Sequence, residues 1–312
     1  MYVTYTLHEH FDVLEKDFHR LFLEFQISPE GETVHQLRVN MKKQMAFFQM
    51  LRALETHLPL EEIQAPFAAF FKSIGKIRNL EIRQTILSAE EREQKIKSEY
   101  VEALTHNIQE EKDWWLSDDV DISLIPIRLA TDKVRSSIDR MPLCNIREML
   151  GEYFYFLIEE IRQIIQNETP SAEQLHDLRK ILKVCYLNLK LTDRLIPQAS
   201  LSKSFYLTLN ELNELLGLWH DQFISVYKVN AKKDKIDKQV VNSLRRKERI
   251  ARKKIVKAFP TIYDLTTELQ KALFHLFAQA EPVKIPPRRF QERKYKTIRN
   301  SFSQINTLEF TK

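Results

Sequence analysis

Glycine is scarce in this 312-residue chain: Gly31, Gly75, Gly151 and Gly217 are the whole set, and no two lie close together. Nucleotide-binding enzymes of the Rossmann or P-loop kind turn around closely spaced glycines, so that class is not expected. Two cysteines, Cys144 and Cys185, are too few for a disulfide framework or a thiolate metal cluster, and a reducing cytoplasm is the expectation. No apolar run approaches the roughly 18 residues of a membrane span, so no membrane insertion is expected. Met1 to Leu14 carry acids and histidines instead of a basic region followed by an apolar one, so a signal peptide is not expected either. Alternating apolar and polar runs are missing, as are Asn-Gly and Asp-Gly turns, which argues against β-structure.

What the chain does have is helical periodicity. Leu7, Phe11, Leu14, Phe18, Leu21 and Phe25 are spaced 4-3-4-3-4, one apolar stripe on a helix. Phe205, Leu209, Leu212, Leu216, Trp219 and Phe223 repeat it. Breaks fall before Pro29, Pro59, Pro142, Pro170, Pro197 and Pro260. Asn145 with Glu148 and Ser171 with Gln174 resemble capping boxes. The pattern predicts ten helices, at about 3–26, 30–56, 60–88, 90–113, 121–140, 145–166, 171–196, 201–229, 233–258 and 260–280. The fold class is all-α, with antiparallel helices in bundles. Residues 282–312, with Pro282, Pro286 and Pro287 ahead of a basic run, read as a flexible tail.

Charge is divided unevenly along the chain. Residues 1–170 carry 20 Lys and Arg against 29 Asp and Glu, while residues 171–312 carry 28 against 14. An excess of +14 in the second half suits a polyanionic partner: nucleic acid, an anionic membrane surface or a phosphate polymer.

The chain also repeats itself. Pro29 and Pro170 are 141 residues apart, and so are His35 and His176, Arg38 and Arg179, and Lys42 and Lys183. Gly75 and Gly217 are 142 apart, each followed four residues later by Asn79 or Asp221. The expectation is two homologous halves, 1–144 and 145–281, related by a pseudo-twofold axis. A glycine inside a helix costs about 1 kcal/mol against alanine, and close approach of a neighbouring helix is the ordinary reason to keep one.

His35, Arg38 and Lys42 stand at i, i+3 and i+7, within an arc of about 60° on one helix face. His176, Arg179 and Lys183 form the same line in the second half. An ion-pair stripe would interleave acids at i+4, and neither line does. Arg offers a planar fork of donors to phosphate oxygens, Lys a mobile point charge, and His gains charge beside an anion. Two such lines facing each other would frame a cationic groove. Seen once, the pattern reads as a core histidine with solvent-facing bases; seen twice at one offset, it favours an anion site.

These residues resemble the CHAD family, the conserved histidine α-helical domain. The resemblance rests on Val34-His-Gln-Leu-Arg-Val-Asn-Met-Lys-Lys43 and Leu175-His-Asp-Leu-Arg-Lys-Ile-Leu-Lys183, with Ile74-Gly-Lys-Ile-Arg-Asn79 and Leu212-Asn-Glu-Leu-Leu-Gly-Leu-Trp-His-Asp221. It covers most of residues 1–280 and implies two four-helix-bundle-like halves forming one unit. It further implies non-catalytic binding of inorganic polyphosphate in a basic central cavity, often at polyphosphate granules, with no cofactor and no metal. The matching positions are His35, Arg38, Lys42, Lys43 and Arg78, then His176, Arg179, Lys180, Lys183 and His220. The family usually carries further bases where this chain has Met45 and Cys185, and an Asp where it has Asn79, so attenuated binding is expected.

Arg245, Arg249 and Arg252 share a face of a later basic helix and are a further candidate wall of the anion site. Read otherwise, residues 232–299 make a general polyanion or nucleic-acid surface, although no zinc-finger or RNA-recognition signature supports sequence-specific reading. A helical phosphohydrolase using His176-Asp177 and His220-Asp221 is the least favoured alternative. Neighbouring residues on a helix diverge by about 100°, and the bases around them repel metal ions. His8 and His10 at i, i+2 do not share a face and are not expected to hold a metal. The acids from Glu90 to Glu111 read as an exposed helix, and Trp114-Trp115 as a cover over the core. Oligomeric state has no sequence signature here.

Overall fold

The computed structural model describes residues 2–55, 57–117, 124–141, 145–196, 201–227 and 236–278. The predicted tail at 282–312, together with Cys144 and Lys232, lies outside them. Ten helices and no strand occur among the described residues. They are α1 (Tyr2–Ile27), α2 (Gly31–Leu54), α3 (Leu60–Gln94), α4 (Glu99–Leu116), α5 (Ile125–Asp139), α6 (Ile146–Ile165), α7 (Ala172–Leu195), α8 (Lys203–Tyr227), α9 (Lys238–Lys257) and α10 (Phe259–Ala278). Five precede residue 145 and five follow it. Packing recurs in the same order: α1 on α2, α2 on α3 and α3 on α4, then α6 on α7, α7 on α8 and α8 on α9.

The periodicities build the core as read. All six residues of the first stripe, from Leu7 to Phe25, are buried on α1. Phe18 sits edge-on to Phe67 with ring centroids 5.9 Å apart, and Phe11 stacks on Phe47 at the same distance. A single apolar cluster runs from Leu7 to Leu273, so both halves share one core. Trp115 caps it, edge-on to Phe25 at 5.1 Å, while Trp114 stays exposed.

Helix ends differ in detail from expectation. Ser171 closes a full capping box: its hydroxyl accepts from the Gln174 N–H, and the Gln174 side chain accepts from the Ser171 N–H. Asn145 makes no such bond, because its backbone (φ −128°, ψ 24°) is not the extended form that aims a cap side chain at the helix. α3 continues past the predicted break near 89, since nothing in Ser-Ala-Glu-Glu-Arg-Glu-Gln interrupts a helix. It stops at Lys95, which takes a left-handed conformation at φ 55°. Of the acids expected on an exposed helix, Glu93, Glu99, Glu102 and Glu110 are exposed, and two at the end of α3 are not. Glu90 and Glu91 are buried, and Lys247 of α9 donates to Glu90 at 2.7 Å.

Two buried amides fix α2, the helix against which both halves pack. Asn40 donates to the Leu14 carbonyl of α1 at 3.0 Å. Asn188 of α7 donates to the Ala46 carbonyl at 2.9 Å and to the Tyr153 hydroxyl of α6 at 2.8 Å. Buried amides left without such partners would each cost about 1–3 kcal/mol, so these bonds set the α2–α7 register.

His10 sits edge-on to Phe47, with ring centroids 5.2 Å apart. Burial, then the charges of Arg194 and Lys43, lower its pKa to about 4. The unfolded imidazole therefore binds more protons between about pH 6.5 and pH 4, and stability falls as pH drops through that window. Urea denaturation should show the wild type losing about 2–3 kcal/mol more over this range than His10→Phe. Equal losses would mean that the ring is not held neutral by its surroundings.

Candidate functional site: a cationic groove between four helices

α2 and α7 pack directly on each other, and α3 packs on α8. The seam between these pairs opens into two adjoining cavities. The larger, about 440 Å³, is lined by His35, Arg38 and Lys42 of α2 and by Phe71, Lys72, Lys76 and Arg78 of α3. The second half contributes Arg179 of α7 and His220, Asp221 and Ile224 of α8. The smaller, about 150 Å³, is lined by Lys42, Met45 and Gln49 of α2, Arg179, Lys180 and Lys183 of α7, and Asn213 of α8. Lys42, Phe71 and Arg179 belong to both. Among the described residues lining the larger cavity, six Lys and Arg and two histidines face one carboxylate, Asp221.

Arg38 is held in place. Its Nη1 donates to the Phe71 carbonyl at 2.6 Å, and its guanidinium lies 3.7 Å over the Phe71 ring. A Cβ on Gly75 would stand 2.4 Å from that Nη1. The neighbour that needs this glycine is therefore a guanidinium from α2 rather than a helix backbone. At Gly217 the expectation of close helix approach fails outright, because a Cβ there would meet nothing within 4 Å.

The charges feel one another across the seam. The Lys183 pKa is lowered by burial first, then by Arg179, Lys190 and Lys43. Lys43 lines neither cavity, but its charge reaches both Lys183 and His10. The His35 pKa is lowered by partial burial and by Arg78, with Lys42 and Arg38 pushing the same way and Glu32 opposing.

The two stripes are alike in sequence and unlike in space. His35 is exposed at the cavity edge, whereas His176 is buried and stacks on His220, centroids 4.9 Å apart and planes 20° from parallel. The repeat explains this difference. The position that carries His220 in the second half carries Arg78 in the first, and a guanidinium there leaves His35 outside the core. His176 thus supports His220 from behind instead of lining the groove.

Arg245 and Arg249 are exposed on α9, and Arg252 donates to the Pro170 carbonyl. None of the three lines either cavity. Met45 does line the smaller one, but Cys185 is buried in the core, with its thiol pushed up to about 12 by burial. A base at 185 in this chain would therefore point into apolar packing. Sequence reasoning missed Lys72 and Lys76, although their i, i+4 spacing beside Gly75 on α3 was a usable signal.

His8 bonds Asp139 at 2.8 Å while His10 packs on Phe47, so the pair does not converge. Among the described residues no group of three or more His, Cys, Asp or Glu is placed to hold a metal ion. No described helix is long and apolar enough to cross a membrane.

An anion in the groove reverses the field at His35, so its pKa must rise and binding must take up a proton. Affinity should therefore increase as pH falls through the window between the bound and free values. Following the His35 ring by NMR titration, with and without tripolyphosphate, should show an upward shift on binding; an unmoved pKa would place the anion elsewhere.

Comparison with known proteins agrees with this geometry. The chain matches the family model of the CHAD domain over residues 7–227, which contain all four groove helices. No curated protein and no solved structure matches it. The matched span covers well over half of the sequence and both repeated motifs: the chain belongs to the CHAD domain family.

Proposed function

We propose that the groove binds inorganic polyphosphate, without turning it over, along the surfaces that α2 and α7 present to each other. The observation that carries this reading is the sharing of Lys42 and Arg179 between two adjoining cavities whose charged lining residues are all cationic except Asp221. A linear polymer with a charge on every unit and no bulky side group suits such a slot. Residues 1–144 and 145–281 act as the two halves, related by a pseudo-twofold axis, with one stripe each. His35, Arg38, Lys42, Arg78, Arg179, Lys180, Lys183 and His220 make the contacts, and Lys43 and His176 act from behind them. Lys72 and Lys76 join the set.

The competing polyanions fit less well. A nucleic-acid duplex carries its phosphates on the outside of a thick cylinder, which a slot of about 440 Å³ does not admit. Single strands are held by exposed aromatic faces. The aromatic face in the groove, Phe71, is already covered by Arg38 at 3.7 Å. Phosphoryl transfer needs carboxylates converging on metal ions, and the lining supplies Asp221 alone. The basic face of α9 is the remaining place for a less selective polyanion. Polyphosphate granules are where a protein of this kind would meet its ligand in the cytoplasm.

Binding of long-chain polyphosphate, duplex DNA and RNA across a salt series tests the reading. The variant should be His35→Ala/Lys42→Ala/Arg179→Ala, which spares Arg38 because its bond to Phe71 also stabilises the fold. Polyphosphate should bind most tightly. The variant should lose about tenfold or more at low salt and flatten the logarithmic salt slope by about 1–2. Equal binding of all three polymers, unchanged in the variant, would remove the ligand from the groove.

A further inference from the structure

The repeat sets one arginine in two environments. In the first half, the Arg38 guanidinium fills the space left by the missing side chain of Gly75 and donates to the carbonyl of Phe71. The corresponding residues of the second half are Arg179, Gly217 and Asn213, at offsets of 141, 142 and 142. There the same space is open, with no atom within 4 Å of a Cβ built on Gly217.

Gly217 lies in the middle of α8, where glycine costs about 1 kcal/mol against alanine, and no packing contact accounts for it. It stands on the groove side. Asn213, His220, Asp221 and Ile224 fall within an arc of about 100° that includes Gly217, and all four line the cavities. Asn213 is 8% exposed, and although its Nδ2 donates to the Leu209 carbonyl at 2.9 Å, its Oδ1 is buried without a hydrogen bond. Arg179 shares one cavity with Asn213 and the other with His220, and makes no hydrogen bond or ion pair with another described residue. A buried acceptor and a cationic donor thus stand on the face of α8 where the space in front of Gly217 is open and its first-half counterpart is filled by Arg38.

We propose that Gly217 and Asn213 form a seat for the Arg179 guanidinium, so that Arg179 exchanges between this seat, donating to Asn213 Oδ1, and the groove, where it meets the ligand. The proposal rests on the groove being the polyanion site. Seating satisfies the buried acceptor and relieves the repulsion between Arg179 and Lys183. It also withdraws a cation from the ligand, so the seat competes with binding. Arg38 is the fixed member of the pair and Arg179 the mobile one. Gly217 and Asn213 are accordingly positioning residues that act through Arg179.

Gly217→Ala places a methyl where the guanidinium would sit, meets no other atom, and favours the helix. It should not lower the melting temperature, and it should tighten long-chain polyphosphate binding about two- to fivefold. Asn213→Leu removes the acceptor and should act in the same direction. A direct contact between ligand and the Gly217 backbone would instead make Gly217→Ala bind more weakly. Unchanged or weakened binding, with the wild type still bound through the stripes, overturns the seat and leaves the groove reading intact. A ligand-free readout separates the two further. Phenylglyoxal should modify Arg179 about two- to fivefold faster in Gly217→Ala than in the wild type, as counted by peptide mass spectrometry. Equal rates overturn the seat whether or not polyphosphate binds.

Discussion

Among the described residues, six lysines and arginines and two histidines share the walls of one cavity against a single carboxylate, and the fold has to hold them there against their mutual repulsion. The walls themselves contribute the contacts of Arg38 with Phe71, and at the margins Glu81 pairs with Arg78 and Glu111 with Lys76. Further support comes from behind. The C-terminal half of α2 is buried on nearly every side, through Met45, Phe47, Phe48 and Leu51, and Asn188 ties it to α6 and α7 through two buried hydrogen bonds. The pKa values of His35 and Lys183 are lowered by burial first and then by the neighbouring cations. On the proposed reading a polyanion would offset that repulsion, and the apolar core keeps the cations together in its absence.

The acids that balance the rest of the chain lie elsewhere, and they do structural work. Glu90 and Glu93 hold Lys247 and so dock α9 on α3, while Glu248 accepts from the buried Trp219 indole at 2.8 Å. In sequence the acids from Glu90 to Glu111 read as an exposed helix. In space Glu90 and Glu93 hold a second-half helix on the first half. The α9 bases that remain, Arg245, Arg249 and their neighbours, face outward and away from the groove.

Much of this was legible beforehand, because spacing reports which residues share a helix face. The 4-3-4-3-4 runs placed the core of α1 and α8, and the i, i+3, i+7 lines picked out Arg38, Lys42, Arg179 and Lys183, which do converge. Spacing along one helix says nothing about what a second helix lays over it. His176 was read as a groove residue because it matched His35, yet His220 covers it, and Arg78 leaves the first-half counterpart open. The α9 arginines share a face, but Arg245 and Arg249 point to solvent and Arg252 is bonded to the Pro170 carbonyl. Gly75 was expected to admit a helix and admits a guanidinium. Lys72 and Lys76 have no basic counterpart in the second half, where Glu214 and Leu218 stand, so the repeat does not mark them.

Lysine footprinting tests the central claim most directly, since it reports which amines a bound polymer covers. The protein, alone and with long-chain polyphosphate, would be acetylated briefly and each lysine quantified by mass spectrometry. Protection should appear together at Lys42, Lys72, Lys180 and Lys183, from both halves, while Lys253, Lys254 and Lys257 of α9 keep reacting. Protection confined to α9, with the groove lysines still reactive, would contradict the account.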